Sequence, residues 1–442
     1  MEAGKPRECG RLRVSLYGTR DAALNWEEAY AGVLTKAGFK RGRASPNAFW
    51  HEGRGIRTVV HGDDFVSAGP SRGLDWLRAL LNENFEAKHE LLGPEGHMKR
   101  SIVVLNRTIR WESTGITIEA DVKHQRKIVE ALGLEDANPV KTPAIQDETA
   151  DEENTEENSG QKARVVHSRQ RHDQLEHDHL AHDPLEHDHL AQDPLEHDHL
   201  APQQEMLDEN LVKTYRSVTA RCNYLAADRP DIQFATRRCA KGMANPSLLD
   251  WRRLKRIGRY LKGKPRLKIH YDWQDYPQSA SACTRACWVQ SDSDWAGDRA
   301  TRKSTSGGTI RLGGHLIKSW SKDQTVIATS SGEAELYAAN HGAQQGLGVR
   351  SLAMDLGIDL GPFVALEVDA SAACGMITRQ GLGKVRHIAV NELWLQDAVR
   401  GKRVHLRKIG TAENTADLGT KPLGAEVIEI HVAALRCDFV DV

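Results

Sequence analysis

The chain has 442 residues, with 60 basic and 61 acidic side chains and a formal net charge of −1, so any affinity for a polyanion has to come from local patches rather than from overall charge. That length corresponds to about three domains. No apolar run approaches the ~20 residues that span a bilayer, MEAGKPRECGRLR at the start lacks the apolar core of a signal peptide, and the seven scattered cysteines read as reduced thiols, which together exclude a membrane protein and lead us to expect a cytoplasmic or nuclear one.

In chain order, the first informative stretches are SLYGTRDAALNWEEAY at 15–30, GF at 38–39 and VHGDDFVSAG at 60–69. Asp63 and Asp64 read either as a hairpin turn carrying two solvated acids or as a pair of metal ligands. From Asp147 to Glu157 the chain is mostly acidic and polar, and from His172 to Pro202 it repeats with a ten-residue period: HDHLAHDPLE, HDHLAQDPLE, HDHLAP. Such a segment has too few large apolar groups to offset its ordering entropy, so a disordered insert is expected over 146–204. Its paired histidines (His177 and His179, His187 and His189, His197 and His199) have the chemistry to bind zinc or nickel, although tandem duplication of a short coding word is the simpler account. Cys283 and Cys287 are four apart with no second Cys or His pair close by, so no zinc site is expected there.

Beyond the insert comes TYRSVTARCNYLAADRPDIQFATRRCAKGMANPS, leading into the most legible helix. Ser247 and Asp250 have capping-box spacing, Trp251, Leu254, Ile257 and Leu261 form one apolar stripe, and Gly263 with Pro265 ends the run. The opposite face carries Arg252, Lys255, Arg256, Arg259 and Lys262. A row of cations without intervening acids reads as a clamp on a nucleic-acid backbone.

The last block combines acids with regular elements. Ala286, Trp288, Gln290 and Asp292 alternate with Cys287, Val289 and Ser291, which suits a strand ending at Asp292. Thr309–Leu312 and His315–Trp320 flank Gly313-Gly314, a pair that accepts the positive φ values of a tight hairpin. Ser330 and Glu333 have capping-box spacing at the start of a helix whose face runs Leu336, Ala339, Ala343, Leu347. Val364 to Asp369 reads as another strand, passing into a helix near Ser371. An acid at the end of a strand before a helix lies at the carboxyl edge of a sheet, where α/β proteins put their chemistry. Asp417 begins a short helix after Asn414, and Pro422 closes it.

SDSDWAGD around Asp292, SSGEAELYA around Glu335, VDAS at Asp369 and NTADLGTKP at Asp417 resemble, in order and spacing, the ribonuclease H domain of copia-type retrotransposon Pol polyproteins. The resemblance implies that Asp292, Glu335, Asp369 and Asp417 bind two Mg2+ ions, with Mn2+ able to substitute, and cut the RNA strand of an RNA–DNA hybrid. It favours Glu335 over Glu333, which has its own capping role, and makes Asp294 and Asp298 weaker candidates because Trp295-Ala296-Gly297 turns the chain away. His387 is the retained histidine of the family and is implied to contact nucleic acid or aid product departure. Ala370 stands where the family has Asn, and Val385-Arg386-His387 replaces its Arg-Thr-Lys-His.

The stretches at 15–30, 38–39 and 60–69 resemble the second half of a copia-type reverse-transcriptase palm, with Asp63 and Asp64 its twin metal-binding acids. The family's third polymerase carboxylate and its fingers lie upstream of the segments matched here. His61-Gly62 and Asp21-Ala22-Ala23 also depart from the pattern, and Gly62 would loosen the turn. A vestigial polymerase site, inactive unless a partner chain supplies the fingers, is the expectation. The resemblance thus divides the chain into a partial palm (1–145), the insert (146–204), a helical thumb or connection (205–280), a ribonuclease H-like mixed five-stranded sheet with flanking helices (281–424) and a C-terminal tail (425–442), an α/β and α+β multidomain protein. The alternative to a hybrid-specific nuclease is a catalytically inert nucleic-acid-binding remnant. A histidine-rich metal-binding protein would rest on the insert alone.

Overall fold

A computed structural model describes residues 15, 18–146, 206–274, 286–383 and 385–440. Apart from Gln146, the insert expected over 146–204 lies outside the described residues, as does Cys283. The first unit is a four-stranded antiparallel sheet, β1 (Lys40–Arg41), β2 (Ala48–His51), β3 (Ile56–His61) and β4 (Asp64–Ala68), in sequential order. Helices α1 (Ala22–Lys36) and α2 (Ser71–Asn84) cover it, burying Tyr30, Leu34, Phe49, Ile56, Leu77 and Leu81 together. Gly62 has φ +62° at the first position of the β3–β4 turn, the conformation that a two-residue hairpin favours and that a side chain resists. The glycine expected to loosen this turn instead lets it close.

Strands β5 (Ser101–Val104), β6 (Arg107–Trp111) and β7 (Gly115–Ala120) form an antiparallel meander, and β8 (Arg266–Asp272) adds to β7. Between them in sequence, α3 (Lys123–Ala131), α4 (Glu209–Ala226), α5 (Gln233–Lys241) and α6 (Leu248–Gly263) share a core that includes Ile128, Tyr215, Cys222, Leu254, Ile257 and Leu261. The α6 start is as expected: Ser247 Oγ accepts from the Asp250 N–H at 3.2 Å, and Asp250 Oδ2 accepts from the Ser247 N–H at 3.1 Å. Leu254, Ile257 and Leu261 are fully buried, each stabilising the bundle by roughly 1.5–3 kcal/mol.

The third unit is the five-stranded mixed sheet expected of the C-terminal block. Strands β9 (Cys287–Ser293), β10 (Thr305–Leu312) and β11 (His315–Asp323) run antiparallel, β12 (Val364–Val368) runs parallel to β9, and β13 (Val404–Lys408) runs parallel to β12, giving the order β11-β10-β9-β12-β13. Gly313 and Gly314 take φ +57° and +90° in the β10–β11 hairpin. Helices α7 (Ser331–Asp355), α8 (Ser371–Thr378) and α9 (Trp394–Arg400) pack with it. The α7 face against the sheet is built on glycine as well as alanine: a Cβ at Gly346 would lie 2.6 Å from Val289 and 2.7 Å from Val364. That close approach carries the N-terminal turn of α7 down to the end of β9.

Residues after 424, expected as a tail, form α10 (Ala425–Ala434) and β14 (Cys437–Val440), and β14 pairs antiparallel with β8. Leu435 and Cys437 join Leu267 and Ile269 in one core. A four-residue strand carries too short an alternation to be read from sequence, and its pairing partner is far away in the chain. No helix among the described residues is long and apolar enough to cross a membrane.

The C-terminus of α7 is bound to the first unit. Asp355 accepts the backbone N–H groups of Arg43 at 3.0 Å, Ala44 at 2.9 Å and Ser45 at 2.7 Å, and Arg57 Nε donates to the Leu356 carbonyl at 2.8 Å. A carboxylate at a helix C-terminus opposes the macrodipole, and three charge-assisted bonds offset that cost. Asp355→Ala is expected to destabilise the chain by about 1–3 kcal/mol and to expose the bond after Arg43 to trypsin. Unchanged melting and digestion would show that this contact does not hold the units together.

Candidate metal-binding acidic site

Asp292 lies near the end of β9, Glu335 in the first turns of α7 and Asp369 one residue past β12. The three elements bring one carboxylate oxygen from each to within 4.8 Å of the others. Gly332 permits this crowding, since a Cβ there would lie 2.9 Å from the Ala372 Cβ of α8. Glu335 Oε1 accepts from the Ser293 N–H at 3.3 Å, while its Oε2 is buried without a hydrogen-bond partner. Burial, then the charges of Asp292 and Asp369, push the Glu335 carboxyl up to about 9. Like charges held this close favour either a proton or a cation between them.

Asp417 reaches the same place on a single 3-10 turn, Thr415–Gly419. Asn414 caps that turn, and its amide donates to the Ser291 carbonyl at 3.1 Å. Gln290 Oε1 accepts from the Thr415 N–H at 3.0 Å, so β9 itself holds the turn down. Thr420 Oγ1 donates to Asp292 Oδ2 at 2.5 Å. Lys421 Nζ lies 2.9 Å from Asp417 Oδ1 and 3.8 Å from Asp292 Oδ2. Burial, then the charge of Asp292, raise the Asp417 carboxyl to about 7 against the pull of Lys421. Burial works against the Lys421 charge, yet Asp292 and Asp417 hold its ammonium above the ordinary lysine value.

Glycine again sets the spacing. A Cβ at Gly307 on β10 would lie 2.4 Å from the Ala416 carbonyl oxygen. Gly307→Ala is therefore expected to lower stability by about 1–3 kcal/mol through overpacking and to lift the 415–420 turn away from Asp292. An unaltered thermal transition would show that the turn has room to spare.

The remaining expected residues divide. Glu333 is not in the acidic cluster: its Oε2 accepts from Thr329 N at 2.9 Å and lies 3.0 Å from His387 Nε2, and its Oε1 accepts from Tyr337 Oη at 2.8 Å. Despite burial, those hydrogen bonds hold its carboxyl below the usual range. His387 is thus tied to the helix cap. Asp294 accepts from the Thr305 N–H, and Asp298 caps the 298–301 turn through Ala300 N at 3.0 Å. Asp63 and Asp64 are exposed on the β3–β4 hairpin, outside the cluster formed by Asp292, Glu335 and Asp369.

Three cations of the α6 face are also engaged within the chain. Arg256 Nη2 donates to Thr142 Oγ1 at 2.9 Å, Arg259 Nε to the Asn138 carbonyl at 2.8 Å and Lys262 Nζ to the Ala137 carbonyl at 2.8 Å. These side chains bind the 135–142 segment against the helix, while Arg252 is exposed and Lys255 half-buried. Helical spacing places cations on one face but says nothing about which backbone covers it. Sequence reasoning also missed Thr420 and Lys421. The available signal was a lysine four residues after Asp417, a spacing that pairs charges on a helical turn.

No family model matches the chain. It is 30% identical over 210 residues, 47% of its length, to the retrovirus-related Pol polyprotein from transposon RE2 of Arabidopsis thaliana, and covers 14% of that protein. It is 23% identical over 437 residues, 97% of its length, to the retrovirus-related Pol polyprotein from transposon TNT 1-94 of Nicotiana tabacum, and covers 28% of it. The chain thus spans less than a third of either relative. Among solved structures, the N-terminal RNase H domain of rv2228c from Mycobacterium tuberculosis, fused to maltose-binding protein, is similar at a TM-score of 0.23 and 12% identity over 34% of this chain and 97% of that one. One transposon polyprotein aligns along nearly the whole chain and another more closely over almost half of it, so the chain is similar to the retrovirus-related Pol polyproteins of transposons.

Proposed function

We propose that the C-terminal unit is a divalent-metal-dependent nuclease of the ribonuclease H type, cutting the RNA strand of an RNA–DNA hybrid. The observation that carries this reading is the convergence of Asp292, Glu335 and Asp369 within 4.8 Å, with Asp417 held beside Asp292. The donor set fits the ion: all oxygens are hard carboxylate ligands, which suit Mg2+ or Mn2+, and Glu335 Oε2 is buried and unpartnered. Asp292, Glu335 and Asp369 would hold the first ion, with Asp417 and Asp292 available to another.

A bound divalent ion supplies an acidified water and charge stabilisation at the phosphate. The protein's own contribution is to fix the carboxylates before any ligand arrives. Gln290 and Asn414 anchor the Asp417 turn, the Ser293 N–H orients Glu335, and the buttressing glycines keep α7 and the 415–419 turn on the sheet. Magnesium-dependent cleavage of a labelled hybrid, with duplex DNA as control, tests the reading. Binding of the hybrid without cleavage under Mg2+ or Mn2+ would replace it with the inert-remnant reading, for which Ala370 and the altered Val385-Arg386-His387 segment speak.

A further inference from the structure

Thr420 and Lys421 lie beside the acidic cluster but belong to none of its expected ligands. Both approach the same oxygen, Asp292 Oδ2, and Lys421 also meets Asp417 Oδ1 at 2.9 Å. The Lys421 side chain is 41% exposed, whereas those of Asp292 and Asp417 are 5% and 8% exposed. An ammonium on a flexible stem with one side in solvent can leave; the two carboxylates cannot. Glu335 Oε2, by contrast, has no hydrogen-bond partner, and the ion pairs of Lys421 are with Asp292 and Asp417. The two sides of the cluster are therefore unequal before any ion binds.

We propose that Lys421 is a built-in counter-cation of the acidic site: it holds the Asp292–Asp417 side, so a divalent ion enters first on the Asp292–Glu335–Asp369 side and a second is admitted only as Lys421 withdraws. The inference rests on the metal-binding part of the reading above. Two cations compete for the same two carboxylates, and the lysine, tethered at Asp417 plus four, is always present at high local concentration. Removing it leaves Asp292 and Asp417 facing each other uncompensated, which costs stability without metal and raises affinity for the second ion. Lys421 is in this sense a positioning residue, acting through Asp292 and Asp417.

The test is Mn2+ binding to the full chain, followed by the electron-paramagnetic resonance signal of free Mn2+, for wild type, Lys421→Met and Lys421→Arg. Wild type is expected to bind one ion at least about tenfold more tightly than the second. Lys421→Met should narrow that gap by about tenfold, melt earlier in EDTA and recover with Mn2+, while Lys421→Arg keeps the wild-type pattern. A second measurement does not depend on a variant folding: acetylation of Lys421 in wild type, read by mass spectrometry, should rise once Mn2+ exceeds one equivalent. Equal ion affinities in wild type, or unchanged binding and EDTA melting in Lys421→Met, or constant acetylation, would overturn the inference and leave the nuclease reading standing. Absence of Mn2+ binding in wild type and variant alike would overturn both.

Discussion

With Mg2+, the full chain is expected to cut the RNA of an RNA–DNA hybrid and leave duplex DNA intact, and Asp292→Asn or Asp369→Asn should lower the cleavage rate by about 10³-fold or more, ~4 kcal/mol of transition-state stabilisation. Each change is nearly isosteric and removes one carboxylate from a group whose oxygens lie within 4.8 Å. Asp292 also accepts from Thr420, and its ion pair with Lys421 is long at 3.8 Å, so the amide keeps a partner and the fold should persist. Hybrid affinity should change by less than about threefold, because binding draws on cations and backbone contacts across a wider surface. Single-turnover cleavage and a fluorescence-anisotropy titration measure the two quantities. A wild-type chain that cuts, with both asparagine variants equally active, would move the chemistry away from this cluster.

The second large effect concerns pH in the absence of metal. Glu335 is raised from an ordinary glutamate value to about 9 by burial and by the charges of Asp292 and Asp369. The native state therefore keeps a proton that the unfolded chain releases, so this group's stabilising contribution is complete below the unfolded value. It is lost progressively as pH rises towards the folded one, at up to ~1.4 kcal/mol per pH unit. Glu335→Gln cannot ionise and escapes the loss. In EDTA the variant should gain on wild type steadily between pH 6 and pH 9, seen as diverging melting temperatures. Mg2+ should stabilise wild type more at the alkaline end, since a cation favours the ionised carboxylates, and should stabilise the variant less. Parallel pH profiles for the two proteins would mean that Glu335 is solvated or already paired.

How much of this was legible beforehand depended on how local the determining interactions are. Alternation from Ala286 to Asp292 and the run from Val364 to Asp369 marked both strands, although the structure buries both of their faces, including all of Val364–Val368. Gly313-Gly314 marked the hairpin, since only a turn with positive φ needs that pair, and Ser247 with Asp250 marked the start of α6. Capping spacing gave Glu333 a structural role, and the family resemblance then favoured Glu335 as the site residue. The glycines of α7 were not legible: the expected face named Leu336, Ala339, Ala343 and Leu347, whereas Gly342 and Gly346 are also points where the helix touches β9 and β12.

What tertiary structure alone decided is where the charges end up. Arg256, Arg259 and Lys262 share a helical face by sequence, and only the tertiary structure decides that each also donates a hydrogen bond to the 137–142 segment packed beside it. Lys421 is an unremarked lysine in its motif, yet the 3-10 turn and the Asn414 and Gln290 anchors bring it between Asp292 and Asp417. Residues 437–440 carry too little pattern to announce a strand, and β8, more than 160 positions earlier, supplies their partner. The sequence by itself determined which residues could form each element and which acids end the strands, because period and capping act over a few residues. Long-range packing determined which of those acids share a site and which cation answers them, because electrostatic pairing depends on distance in space and not on separation along the chain.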